Sequence, residues 1–255
     1  MMKQILAFES IEEYDLYKED IEKLHSKWES YQELLVKEFD LREFPKAIVW
    51  TTSENATSVF SKVPVPAYTN RDTIYMTPSV QEWRAFHLSQ LDGLETAEHS
   101  HIQEIKNYFN SITIDHVFCI AAHELTHHIE LFPDEFEDGR FDSIWFEEGM
   151  CEYMSQKFTL TAEQFKEARA IDQKMIQLFK EKYGRHSLDD FGTGSYGTDT
   201  LPAIMLNYWR SSSAIQYLVE ECHEGDIKKV FQLYAEWDKC GRTQPLTEFF
   251  GVSHF

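Results

Sequence analysis

Residues 117–132, VFCIAAHELTHHIELF, set His123, Glu124, His127 and His128 into a segment that otherwise has the composition of a buried helix. Val117, Phe118, Ile120, Leu125 and Ile129 flank them. Burying two imidazoles and a carboxylate among such neighbours without partners costs on the order of several kcal/mol. The rest of the chain must therefore fold so as to supply partners. On an α-helix, residues four apart share a face, so His123 and His127 stack and offer two nitrogens to one point. His128 points about 100° away round the helix and is a poor ligand, and Glu130 is assigned no role at the site. The periodicity predicts a helix over 114–130.

HELTH is an HExxH pattern. It provides two nitrogen ligands for a single Zn²⁺ and, beside one of them, a carboxylate that is not a ligand. Glu124 is thereby placed to take the proton of the attacking water. A catalytic zinc site needs a third protein ligand and an open position. The compact HExxHxxGxxH scheme is excluded, because Glu130 stands where glycine is needed and Pro133 where histidine is needed. The remaining scheme takes a glutamate from the next helix. SIWFEEGMCEYM (143–154) offers Glu147 and Glu148, the latter 21 positions after His127. The connection FPDEFEDGRFD (132–142) lets that helix fold back antiparallel on the first.

HELTH followed by WFEEGMCEY resembles the gluzincin zinc peptidases, most closely their aminopeptidase and leukotriene-hydrolase branch, whose signature is HExxH and then W-x-x-E-G-x-x-x-Y. Trp145, Glu148, Gly149 and Tyr153 fall into that frame. The resemblance implies that Glu148 rather than Glu147 is the third ligand, across a connection slightly longer than usual in the branch. It also implies that Glu152, one turn on, orients a ligating histidine from behind. The branch carries a tyrosine that stabilises the oxyanion, opening a helix that continues to a Tyr-Leu pair. LNYWRSSSAIQYLVEE (206–221) has that layout, with Tyr208 nine residues before Tyr217 and 60 after Glu148. The implied fold is a thermolysin-like zincin catalytic domain, in which a peptide adds to the edge strand of a small sheet. The large N-terminal β-domain of the branch and its GxMEN segment, which binds a substrate's free amine, are absent. An endopeptidase or a narrow specialised hydrolase is left open.

The surroundings are consistent with an α+β chain, mainly helical. Ser10 and Glu13 predict a capping box before a long amphipathic helix closed by Pro45. KAIVWTT (46–52) reads as a strand, and VPVPAYTN and RDTIYMTP (63–78) as extended segments about a turn at Asn70–Arg71. Pro64 and Pro66 demote the first of these to an edge strand or loop. Helices are expected at about 79–91, 96–111, 114–130, 143–158, 161–183, 203–223 and 225–239. The whole reads as a single domain, 1–255, with an N-terminal lobe (1–130) carrying the sheet and the zinc-binding helix and a helical lobe (131–255) carrying the third ligand.

Acidic residues outnumber basic ones 44 to 24, a formal charge of −20. A field of that sign repels phosphate backbones and argues against a nucleic-acid partner. No apolar run reaches the length of a signal-peptide core or the ~18 residues of a membrane span, so a cytoplasmic protein without membrane contact is expected. Cys119, Cys151, Cys222 and Cys240 form no CxxC pair and are expected as thiols. Cys119, one turn before His123, reads as a small buried residue. His99 and His101 read as solvated. GTGSYG (192–197) matches GxGxxG but follows no strand, which removes the nucleotide reading and leaves a loop near the site entrance. The function expected is hydrolysis of a peptide or protein by a zinc peptidase. The alternatives are a zinc hydrolase of a non-peptide substrate and a non-catalytic metal-binding helical interaction protein.

Overall fold

The computed structural model describes residues 2–60, 65–92, 99–134, 136, 142–184, 186–192 and 200–255. The chain forms two compact units, residues 1–129 with 155–165, and residues 130–154 with 166–255.

The first unit opens with β1 (Lys3–Ala7), α1 (Ile11–Glu38) and β2 (Ala47–Thr51), a parallel strand pair joined by a crossover helix. After a helical turn α2 (Ser53–Asn55) and a π-helical turn (Ala56–Phe60) come β3 (Ala67–Thr69) and β4 (Thr73–Met76). The sheet order is β1-β2-β4-β3, with β3 antiparallel at one edge and the other strands parallel. Of the edge strand or loop expected for the proline-flanked segment, Ala67–Thr69 form an edge strand among the described residues, and 63–64 lie outside them. Asn70 makes the β3–β4 turn, its Oδ1 accepting from Asp72 N and Thr73 N at 3.0 and 2.9 Å.

The strand β1 is not evident in the sequence. Four of its five residues are exposed, so it has no buried alternation to betray it and is held by its ladder to β2. α1 also ends earlier than Pro45 suggests. Asp40 takes the left-handed conformation, φ 59°, and Leu41 N reaches back to Leu35 O at 3.3 Å. This is a helix-ending turn that glycine usually makes. At its start Ser10 Oγ accepts from Glu13 N, while the Glu13 carboxylate accepts from Glu9 N rather than from Ser10 N.

α1 buries Ile21, Leu24, Trp28, Tyr31 and Leu35, one stripe at three- and four-residue intervals. That stripe meets α5 (Ile114–Thr126), where Trp28 and Tyr31 pack edge-on to Phe118. Between them in the chain lie α3 (Val80–Ser89) and α4 (His99–Ser111). Glu82 of α3 accepts from Tyr17 OH, Ser53 N and Thr77 Oγ1, joining α1, α2 and the end of β4.

The second unit is helical: most of α6 (Ile144–Thr159) and α7 (Ala162–Tyr183), then α8 (Leu201–Gln216) running into a π-helical turn (Tyr217–Cys222), α9 (Ile227–Lys239) and α10 (Leu246–Phe250). The helices expected from periodicity are observed with shifts at their ends, residues 96–98 of one of them lying outside the described residues. Phe146 anchors the core, stacked on Tyr234 at 4.1 Å and on Phe250 at 5.5 Å. Trp145 is fully buried and donates to Asp189. Among the described residues no helix is long and apolar enough to cross a membrane, and none of the four cysteines forms a disulfide.

Candidate metal centre

α5 starts on a capping box, Thr113 with His116, and ends with His127 as its C-cap. The helix is therefore shorter than the 114–130 expected, because the chain turns at His127–Glu130. His127 nevertheless keeps right-handed helical angles, φ −56° and ψ −18°, so it stays stacked over His123. Tyr31 OH and Thr126 Oγ1, 2.7 Å apart and buried, fix the residue before it to α1. This contact is not signalled by any motif.

The two imidazoles converge. Their Nε2 atoms are 3.2 Å apart, with ring centroids at 5.0 Å. His123, His127 and Glu148 each bring one ligand atom to within 4.8 Å of the others, and all three are buried. This donor set suits a divalent metal of intermediate softness. Two Zn–N bonds of about 2.05 Å at a tetrahedral angle place their nitrogens ~3.3 Å apart, close to the observed spacing. Two imidazoles and a carboxylate gathered away from water are otherwise costly, and a cation offsets that cost. The buried group can hold a metal ion.

Glu147 and Glu148 are separated by the turn of α6. Glu148 joins the histidines, whereas Glu147 acts on Tyr234: burial first, then the charges of Glu147 and Asp134, push that phenol upward. Glu124 is 7% exposed and lies directly beside His123 in the chain. His128, read as lying off the ligand face, has its Nε2 2.8 Å from Thr69 Oγ1 on β3. Cys119 is buried, with its thiol against Asp115 O and Thr159 Oγ1. Glu130 is exposed and His101 half-buried. The side chain of His99 and residues 193–197 of the GTGSYG segment lie outside the described residues.

Gly149 explains how the second unit presents Glu148. A Cβ at this position would stand 2.7 Å from the backbone carbon and oxygen of Ser211. α6 and α8 thus cross in backbone contact one residue from Glu148, and three residues from Tyr208. The small side chains of the buried run Ser211–Ser213 permit the approach. Tyr208 itself is half-buried, its ring edge-on to Phe191 at 5.3 Å. Arg169 of α7 donates to Ser212 and pairs with Asp172 at 2.5 Å. Glu152 is half-buried, and its charge reaches this cluster: burial pushes the Asp172 carboxyl up to about 7, Arg169 opposing and Glu152 adding to the rise.

Compared with models of protein families, with curated proteins and with solved structures, the chain matches none.

Proposed function

We propose that the chain is a zinc-dependent peptidase of gluzincin type. The observation that carries this reading is the buried convergence of His123, His127 and Glu148, with Glu124 beside the first histidine. The two histidines and Glu148 would hold one Zn²⁺. When bound, the ion supplies Lewis acidity to water and to the scissile carbonyl. Glu124 takes the proton of the attacking water and returns it to the leaving amine. Tyr208 donates its O–H to the developing oxyanion, a role supported by its position one turn from the Gly149–Ser211 crossing. Glu152 orients the site from behind.

A thermolysin-like arrangement is supported by α5 packed against β3 and β4 of a small mixed sheet, with antiparallel β3 at the edge. An extended peptide pairs with that edge through its backbone. Three protein ligands among the described residues favour catalysis over a structural site, which would close with four. The reading is tested by incubating the protein with a complex peptide mixture and with ester and amide small molecules. Cleavage of peptides that stops on chelation and returns with zinc is expected. Turnover confined to the small molecules would replace it with a non-peptide zinc hydrolase.

A further inference from the structure

His128 completes the HELTHH run, and the proposed chemistry does not use it. It is 8% exposed, and its Nε2 lies 2.8 Å from Thr69 Oγ1. Thr69 ends β3, and the ladder fixes which way this strand points its backbone. Asn70 N donates to Thr73 O at 3.0 Å and Thr77 N to Pro66 O at 3.1 Å. In an antiparallel ladder such hydrogen-bonded pairs alternate with pairs whose backbone groups face outward. Tyr68 and Tyr75 are therefore the hydrogen-bonded pair between those two. Ala67 and Thr69, opposite Met76 and Ile74, turn N–H and C=O away from β4, toward the side where no strand pairs among the described residues.

Thr69 thus joins two functions in one residue. Its backbone faces the open edge, and its hydroxyl meets the residue that follows His127. The hydroxyl also lies 3.1 Å from Asn70 O, and the imidazole tautomer decides which partner donates in its bond to His128 Nε2. Ile74 and Met76, fully buried on the neighbouring strand, hold the ladder from the other side. We propose that His128 is a positioning residue: it ties the β3 edge to α5 and so sets the height of an extended peptide over the metal ligands. This rests on the peptidase reading above.

The test uses the full chain with His128→Leu, Thr69→Val, the double variant and His128→Gln, whose amide can donate or accept toward the Thr69 hydroxyl. Kinetics are measured on a peptide the wild type cleaves, with zinc content and amide exchange alongside. His128→Leu and Thr69→Val should each raise KM about tenfold, the scale of one buried hydrogen bond, with kcat and zinc content retained. The double variant should be no worse than the worse single, and His128→Gln should recover most of the loss. Loss of zinc, a fall in kcat at constant KM, or additive effects would overturn the proposal. Exchange at Asn70 and Thr77 should quicken in His128→Leu while α5 stays protected, and unchanged exchange would show that the tie is absent. That readout needs no substrate, so a wild type that cleaves no peptide defeats the peptidase reading and leaves the tie to be decided separately.

Discussion

Glu124→Gln is expected to keep one zinc per chain and to lose turnover by about 10²–10⁴-fold, the range of a positioned acid–base group. The substitution keeps shape and volume at a position that is 7% exposed, so packing is preserved. Glu124 is not among the three residues that converge on the metal position, so the amide variant should keep the ion bound. On the proposed mechanism, what is removed is the capacity to accept a proton from water and deliver it to the amine. Single-turnover hydrolysis of a susceptible peptide, with metal analysis of the same sample, checks both halves. Hydrolysis surviving at the wild-type rate would mean that Glu124 is not the base.

Glu148→Gln and Glu147→Gln should differ sharply although the residues are adjacent. Loss of Glu148 removes one of the three proposed protein ligands, and the fall in zinc affinity should exceed the 10–100-fold typical of groups that only support a ligand. Glu147 is 2% exposed and lies outside the group that converges with the two histidines. Its amide variant should therefore change thermal stability and leave zinc binding near wild type. Chelator-competition titrations of the two variants decide the matter. Zinc loss in Glu147→Gln with retention in Glu148→Gln would reverse the ligand assignment.

Much of the site could be read from spacing because a helix makes spacing into geometry. His123 and His127 needed only a four-residue interval and an apolar setting. Glu148 was harder, since two adjacent glutamates satisfy the length of the connection equally well. Only the turn of α6 separates them, and the resemblance in WFEEGMCEY indicated which one to choose. Gly149 belonged to the same frame, but its reason is the backbone of Ser211, 62 residues away, which no local pattern encodes. The same holds for Tyr31 with Thr126 and for His128 with Thr69. Each is a long-range polar contact that spacing along the chain does not encode. For the fold, the helices followed their apolar periodicity. The strand β1 did not, because an exposed parallel edge is held by backbone bonds that leave no trace in side-chain pattern. The end of α1 was misplaced because Asp40 takes a conformation usually given to glycine.

On the proposed reading, His123, His127 and Glu148 hold one zinc and leave a position open. X-ray absorption at the zinc edge, on protein purified under mild conditions without chelator, tests it most directly. One zinc per chain is expected, bound by two imidazole nitrogens with oxygen donors completing the shell at about 2.0–2.2 Å. Zinc well below one per chain, or a shell containing sulfur or additional imidazoles, would contradict it.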